Sequence, residues 1–555
     1  MQTRFTSCTK SIRRTQWSVV NKLIRLQSTM SDPIVTVKQG KLRGAVQENV
    51  LGLGRSFIAF HEIPFAAPPV GDLRFKDPQP PAPWTDVKDV RIPHGRRCTQ
   101  LHELDVERVT GQEDCLYLNV YTNSLQECKP VMFWIHGGAF RVGSATFLEK
   151  QPDYLLAKDV VVVSTNHRLG AFGFLNLGHK LAPGNQGLKD LIAALEWVKE
   201  NIANFGGDPN NVTVFGASTG GVLCHALSVS PRARGLFHKA ILQSGLLNCS
   251  WVMNQSRPER CFKLAKLLGK DSTDPEEVLR YLRTIDAKKI VKAYEGILEV
   301  EELKALDLPF GLNPDYMADD PVLPFPLEKM ITMDTTVPVI VGYTSHEFLM
   351  FMKGDTTPPS IRRFNDWLPL TVKKLASLKN LSPEKTKKLY ATVKETYLNG
   401  MPITMDNMDE FVRYVSDCYF GIPAKIFVED RVKRSTPPTY FYVYTYVGTQ
   451  ITHTDALVKR VIKGASHVDE MAYLFYLASL RTDDPEPPAV GTKDRTMIER
   501  LTTMWTNFGK TGNPTPCLDE HIKVIWEPVT ENDIRYLEIG DESVMVSMKP
   551  HIFSS

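Results

Sequence analysis

Apolar residues along the chain fall into two periodic patterns, which predict short buried strands separated by helices. Runs rich in β-branched and aromatic residues are typical of strands inside a sheet. They occupy 116–121, 131–135, 160–164, 211–215, 237–242, 337–341 and 440–446. Between them, six apolar residues recur at helical spacing from Leu188 to Ile202, which predicts an amphipathic helix. Strands alternating with helices predict a mostly parallel sheet covered by helices on both faces.

Two long stretches interrupt this alternation. Residues 254–332 and 358–426 are helix-rich and irregular, without a clear strand pattern. Ligand sites in such sheets lie at the carboxyl ends of the strands. We therefore expect both stretches to be insertions that form a roof over a site at that end of the sheet.

A candidate nucleophile follows the strand at 211–215. Gly216 and Gly220 flank Ser218 in a G-x-S-x-G motif, within the sequence FGGDPNNVTVFGASTG. The glycines allow a sharp strand-to-helix turn that leaves the serine hydroxyl accessible to a base. G-x-S-x-G alone also occurs in ordinary turns, and the preceding strand is what favours a nucleophile here.

A serine nucleophile needs donors for an oxyanion. The segment 134–144 (WIHGGAFRVGS) follows the strand at 131–135 and exposes consecutive backbone N–H groups. The N–H of Thr219, directly after the nucleophile, is the expected further donor. Each such donor contributes roughly 10²–10³-fold to the rate.

The base and the acid are predicted from their order along the chain, which in α/β hydrolases is serine, acid, histidine. His467 lies in a turn after the last apolar strand, and Glu347 follows the strand before that one. His346 is the competing base, but it precedes the acid and breaks this order. Asp469 and Glu470 are close to His467 in sequence and are second choices for the acid.

Composition limits the other possibilities. The 555 residues are 43% hydrophobic and carry a formal net charge of +3, so a nucleic-acid partner is not indicated. We find no linker, no run of 18 apolar residues, no metal motif and no phosphate loop. Nine cysteines is an odd number, so free thiols are the default, although Cys98 and Cys115 could pair and close a surface loop.

Residues 1–31 differ from the rest of the chain. They contain six basic residues and no acidic one, and they lack the apolar core of a secretory signal peptide. Apolar residues in the second half could share one helical face, which favours a membrane-surface helix or a mitochondrial presequence over a plain basic tail. We expect an intracellular protein, cytoplasmic or peripherally attached to the endoplasmic reticulum or lipid droplets, with mitochondrial targeting as an alternative and secretion disfavoured.

Several motifs together resemble the type-B carboxylesterase/cholinesterase family, and most closely the insect α-esterase type. They are the nucleophile motif at 205–220, EDCLYLNVY at 113–121, HGGAF at 136–140, NHRLGAFGFL at 166–175 and GASHVDEMAYLF at 464–475. The resemblance runs from about residue 33 to the C-terminus. It implies one α/β-hydrolase domain over 32–555, although length alone suggests several domains.

The resemblance also implies roles for individual residues. The catalytic residues would be Ser218, Glu347 and His467, and the oxyanion donors would be Gly138, Ala139 and Thr219. The reaction would hydrolyse small uncharged esters of xenobiotic or lipid type through an acyl-enzyme, without metal or cofactor. Organophosphate-type inhibitors would phosphorylate the same serine.

The substrate pocket is expected to be apolar and of modest size. Trp251, Phe310, Met350 and Phe351 map to family positions near the acyl or alcohol side of the gorge. Their alternative role is simply that of core side chains. The segment between Cys98 and Cys115 has no tryptophan, so a cation–π platform for quaternary ammonium is missing and a cholinesterase is disfavoured.

Four residues depart from the family pattern near the site. Ala139 replaces the third glycine of the oxyanion turn, Ala217 the glutamate before the serine, Thr219 the alanine after it, and Phe348 the glycine after the acid. Two other readings remain. One is a catalytically inactive adhesion or scaffold protein, disfavoured because all three catalytic candidates are present. The other is a lipase or hormone esterase on the same fold.

Overall fold

The fold is built on one large sheet. The computed structural model describes residues 32–47, 56–102, 105–252, 257–333, 336–352, 357–434, 437–481 and 486–548. In chain order the strands are β1 (Ile34–Val37), β2 (Gly40–Arg43), β3 (Ala45–Gln47), β4 (Phe57–Pro64), β5 (Val87–Asp89), β6 (Gln100–His102), β7 (Asp105–Thr110), β8 (Tyr117–Thr122), β9 (Lys129–Ile135), β10 (Val161–Thr165), β11 (Asn176–His179), β12 (Ala182–Pro183), β13 (Gly207–Ala217), β14 (Lys239–Gln243), β15 (Val339–Thr344), β16 (Thr439–Tyr444), β17 (Arg535–Ile539) and β18 (Ser543–Ser547).

Eleven of these strands form the central sheet, in the order β18-β17-β16-β15-β14-β13-β9-β10-β8-β4-β3. The seven strands from β17 to β10 pair in parallel, with β13 between β9 and β14. Antiparallel strands flank them on both sides. This is the mixed, mostly parallel sheet predicted for an α/β hydrolase.

Helices cover the sheet and fill the two insertions. The α-helices are Asp153–Leu156, Gly170–Phe174, Gln186–Asn201, Thr219–Val229, Pro258–Leu267, Pro275–Thr284, Ala287–Lys292, Val300–Lys304, Leu327–Ile331, Pro358–Leu378, Pro383–Leu398, Met408–Ser416, Ile422–Lys433, His453–Leu457, Met471–Leu474 and Lys493–Thr511. Short 3₁₀ segments are Gly71–Leu73, Ile202–Phe205, Pro231–Ala233, Ala293–Gly296 and Glu347–Met352, and Asp417–Gly421 is a π-helical turn. Among the described residues, none of the helices combines the length and the apolar character needed to cross a bilayer.

The two faces of the sheet pack into two separate hydrophobic cores. Along β9, Phe133 joins the larger core, whereas Met132 and Trp134 join the smaller one. This alternation follows from the period of two along a strand. Because both faces are covered, the strands are apolar throughout, as their sequences predict.

The helix Gln186–Asn201 is more deeply buried than an amphipathic pattern predicts. Its polar residues Lys189 and Asp190 are buried together with its apolar ones. Asp190 can be buried because Arg168 pairs with both carboxylate oxygens, at 2.7 and 2.9 Å. A buried charge of this kind depends on its partner.

The second insertion packs against the segment that follows β15. Phe348, in the 3₁₀ segment Glu347–Met352, lies 5.4 Å from the ring of Trp367 and 6.0 Å from the ring of Phe411. Both partners belong to helices of the insertion. The insertion therefore covers the strand end that carries the candidate acid.

Candidate active site

Ser218 occupies a strained corner between β13 and the helix Thr219–Val229. Its backbone has φ 59° and ψ −128°, outside the regions that most residues adopt, and its N–H donates to the carbonyl of Gln243 at 2.8 Å. Its side chain is half-buried, whereas Ala217 and Thr219 are buried. A Cβ atom at Gly220 would lie 2.2 Å from a backbone oxygen of Ile135, so the motif glycine lets two backbones meet. At this turn Ser218 is therefore more exposed than the residues on either side of it.

Glu347 and His467 are joined by a short hydrogen bond. The Oε2 atom of Glu347 lies 2.5 Å from Nδ1 of His467, and its Oε1 accepts the N–H of Thr344 at 2.8 Å. Glu347 is fully buried and His467 is 4% exposed. A carboxylate at Nδ1 holds the proton there and leaves Nε2 free to accept one.

His346, the competing histidine, is engaged elsewhere. Its Nδ1 lies 2.8 Å from the hydroxyl of Ser345, and its Nε2 lies 3.0 Å from Asp409. Burial lowers the pKa of His346. Both ring nitrogens of His346 thus have hydrogen-bond partners, Ser345 and Asp409, that are not members of the Glu347–His467 pair.

The segment 134–144, which contains the candidate oxyanion donors and is called the oxyanion turn, has three successive residues at positive φ. Gly138, Ala139 and Phe140 have φ of 119°, 56° and 56°, and the N–H groups of Arg141 and Val142 both donate to the carbonyl of Gly138. A non-glycine residue in this region costs about 1–2 kcal/mol, so Ala139 adopts the shape of the glycine it replaces at some expense.

The turn lies directly beside the nucleophile. A Cβ atom at Gly137 would lie 3.0 Å from Cβ of Ser218. Within the described part of the chain, the N–H groups of Gly138, Ala139 and Thr219 have no hydrogen-bond partner. The last of these also begins a helix, whose N-terminus favours negative charge.

Aromatic rings surround His467 on the side of the roof. The rings of Phe420 and Phe351 lie 5.0 and 5.4 Å from the imidazole, and Trp251 packs on Phe420 at 5.8 Å. Two of these three were predicted as pocket residues. Phe420 was not, because it belongs to the π-helical turn Asp417–Gly421, which has no sequence signal. Such turns recur at functional sites.

The other two predicted pocket residues are placed differently. Phe310 is fully buried, with its ring 4.9 Å from that of Tyr294, and among the described residues no ring contact joins it to His467. Met350 is half-buried in the 3₁₀ segment that begins at Glu347. Their part in a pocket stays a prediction.

A second buried acid, Glu470, lies near the Glu347–His467 pair. Glu470 is fully buried, and its Oε1 accepts a hydrogen bond from the side-chain amide of Gln243 at 3.0 Å, while Trp505 donates to the amide oxygen. Burial, followed by the negative charge of Glu347, raises the pKa of Glu470 to about 8. Glu470 is therefore predominantly a neutral acid at pH 7.

Cys98 and Cys115 form a disulfide, with their Cα atoms 4.9 Å apart. Cys128 and Cys517 are exposed thiols, and the remaining described cysteines are buried thiols. In the described ranges, no group of three or more His, Cys, Asp or Glu side chains is placed to hold a metal ion.

A strand–serine–helix corner, a buried carboxylate on a histidine and a donor turn beside the serine define the class of α/β hydrolases. The model of the Carboxylesterase family matches residues 31–553, and the chain belongs to this family. It is a carboxylic ester hydrolase.

Relatives of known name agree with this assignment. Esterase FE4 of Myzus persicae is 33% identical, over 91% of this chain and 88% of the relative. Juvenile hormone esterase of Tribolium castaneum is 31% identical, over 93% and 89%. The crystal structure of juvenile hormone esterase from Manduca sexta, with OTFP covalently attached, superimposes with a TM-score of 0.80 at 28% identity, covering 94% of this chain and 98% of that one.

Proposed function

We propose that this protein hydrolyses uncharged carboxylic esters through an acyl-enzyme on Ser218. The observation that carries the proposal is the 2.5 Å hydrogen bond from Nδ1 of His467 to the buried carboxylate of Glu347. Nε2 of His467 takes the serine proton as the hydroxyl oxygen attacks the ester carbonyl. The carboxylate stabilises the imidazolium that forms.

The reaction then proceeds in two stages, acylation of the serine and hydrolysis of the acyl-enzyme. The oxyanion of the tetrahedral intermediate accepts hydrogen bonds from the N–H groups of Gly138, Ala139 and Thr219. His467 returns the proton to the leaving alcohol, which departs and leaves the acyl group on Ser218. Water, deprotonated by the same histidine, releases the acid and restores the serine.

The aromatic rings beside the histidine support an apolar, uncharged substrate. The rings of Phe351 and Phe420 lie against the imidazole of His467, and Trp251 packs on Phe420. An apolar lining of this kind favours an uncharged substrate.

Covalent labelling tests the mechanism. A fluorophosphonate probe is expected to modify the wild-type protein at Ser218, located by peptide mapping. Ser218→Ala is expected to lose labelling and to lose activity on a short-chain aryl ester by at least about 10³-fold. Ser228→Ala is the matched control, because this serine of the same helix only donates to the carbonyl of Cys224. Full activity of Ser218→Ala would contradict the proposal.

A hormone ester is the second candidate substrate. It is favoured by the likeness to two proteins named juvenile hormone esterase, one of them a solved structure with a TM-score of 0.80. Comparing kcat/KM for juvenile hormone, short aryl esters and long-chain acylglycerols separates a hormone esterase from a general carboxylesterase and from a lipase.

We also propose that residues 1–31, which lie outside the described residues, direct the protein to an intracellular location or a membrane surface. The disulfide between Cys98 and Cys115 is a bond typical of oxidising compartments, so the test has to include secretion. Tagged protein with and without residues 1–31 should differ in location, and recovery of both from the medium would contradict the proposal.

A further inference from the structure

One buried glutamine connects the disulfide with the oxyanion turn. Gln100 begins β6 and is fully buried. Its side-chain oxygen accepts the N–H of Gly143 at 2.7 Å, and its side-chain nitrogen donates to the carbonyl of Gly143 at 2.9 Å and to that of Cys98 at 3.0 Å. The side-chain amide of Gln100 thus makes hydrogen bonds to both the N–H and the carbonyl of Gly143, in the oxyanion turn.

Gly143 is in close contact with the start of the same turn. It has φ 110°, and a Cβ atom there would lie 2.3 Å from the carbonyl oxygen of Gly137 and 2.5 Å from Nδ1 of His136. Gly137 precedes the two candidate donors and lies beside Ser218, because a Cβ atom built on it would come within 3.0 Å of the Ser218 side chain. A shift of Gly143 would therefore be passed to the donors with little room for compensation.

A second amide ties the turn to the other end of the disulfide. Asn166 donates to the carbonyl of Cys115 at 3.1 Å and accepts the N–H of Ala145 at 2.9 Å. The segment after the donors is therefore anchored twice, near both half-cystines.

From these contacts we infer that Gln100 is a positioning residue, which fixes the N–H groups of Gly138 and Ala139 through Gly143. The inference rests on the proposed function, because it assigns a role in orienting the oxyanion donors of that mechanism. Gln100 is fully buried and takes no part in the chemical steps proposed above.

The test is Gln100→Met, which keeps the length of the side chain and removes all three hydrogen bonds. Loss of one donor costs roughly 10²–10³-fold in kcat, so misplaced donors should cost about 10- to 100-fold in kcat with little change in KM. Gln112→Met is the matched control, because this glutamine lies in the same disulfide loop, is exposed, and has a side chain that donates to the carbonyl of Asp114, away from Gly143.

A pair of inhibitors separates positioning from a general loss of structure. A trifluoromethyl ketone adds to a serine and forms an oxyanion, whereas the methyl ketone of the same chain only occupies the pocket. Gln100→Met is expected to weaken the first about 10-fold or more and to leave the second unchanged. Equal kcat and equal inhibitor constants in a folded variant would overturn the inference.

Gln100→Glu keeps the inference testable if the methionine variant does not fold. A protonated carboxyl can donate to the carbonyl of Gly143 and accept its N–H, whereas a carboxylate faces two carbonyl oxygens. Activity relative to wild type should be highest at acidic pH and fall as pH rises, and a constant ratio would refute the inference. Failure of the proposed function has a different signature, since wild-type protein would then escape labelling at Ser218.

Discussion

The buried acid Glu470, near the Glu347–His467 pair, leads to a prediction about stability. Glu470 is fully buried, and its pKa rises from 4.5 to about 8, because of burial first and the negative charge of Glu347 second. Gln243 donates to its Oε1 at 3.0 Å. Glu470→Gln keeps the size and the accepting oxygen of this side chain but cannot ionise.

The sign follows from where the proton is bound. Between pH 4.5 and pH 8 the native state holds a proton that the unfolded state has lost, so the stability of the wild type falls as pH rises. Each pH unit is worth about 1.4 kcal/mol, which gives roughly 4 kcal/mol between pH 5 and pH 8 as an upper value. The glutamine variant lacks this pH dependence. Between pH 5 and pH 8 its free energy of unfolding, relative to that of the wild type, should therefore rise by about that amount.

Urea unfolding at pH 5, 6, 7 and 8 measures the difference. The pKa values of Asp153 and Asp469 are also raised, to about 7 and about 6, and both groups remain in the variant. Asp153 cancels in the comparison, whereas the negative charge of Asp469 is one of the causes of the raised pKa of Glu470 and belongs to the measured difference. Glu531→Gln, at an exposed position, serves as the control. A free-energy difference between Glu470→Gln and wild type that stays constant with pH would refute the reasoning.

Two further substitutions each test one buried carboxylate, Glu347 in the candidate site and Asp190 in the core. Glu347→Gln should lower kcat by roughly 10³–10⁴-fold in steady-state assays, because Thr344 holds the amide oxygen and turns the NH₂ group toward Nδ1 of His467, which favours the wrong tautomer; an unchanged kcat would contradict this. Asp190→Asn should lower the free energy of unfolding by about 3–5 kcal/mol in denaturant titrations, since it leaves the buried Arg168 without its counter-charge; a loss below about 1 kcal/mol would contradict it.

Local sequence was enough to predict the nucleophile corner. The strand that ends at Ala217 and the two motif glycines determine the turn at Ser218 within a dozen residues. Glu347 and His467 were predicted from chain order and strand ends, because parallel strands bring their carboxyl ends to one edge. For the acid, the sequence offered no local signal beyond the strand before it.

What sequence reasoning missed depends on contacts between distant segments. Phe420 belongs to a π-helical turn, and its ring lies 5.0 Å from the imidazole of His467. Gln100 bonds to Gly143, 43 residues away, and Glu470, which the sequence offers only as a second choice for the acid, bonds to Gln243, 227 residues away. Periodicity does not report such contacts, since each side chain alone looks like an ordinary polar residue.

The departures from the family pattern change side chains near the site, but the backbone N–H groups of the candidate oxyanion donors are still present. Ala139 and Thr219 offer the same backbone N–H as any other residue, and Ala139 has φ of 56°, in the left-handed region that favours glycine. Ala217 lies in the smaller core, on the side where Glu347 and Glu470 already share a buried region. A glutamate there would add a third acid where even the second is kept neutral. Because Ala217, Thr219 and Phe348 are all buried, these substitutions change the packing beside the candidate nucleophile and acid, and the backbone N–H groups of the candidate donors remain present.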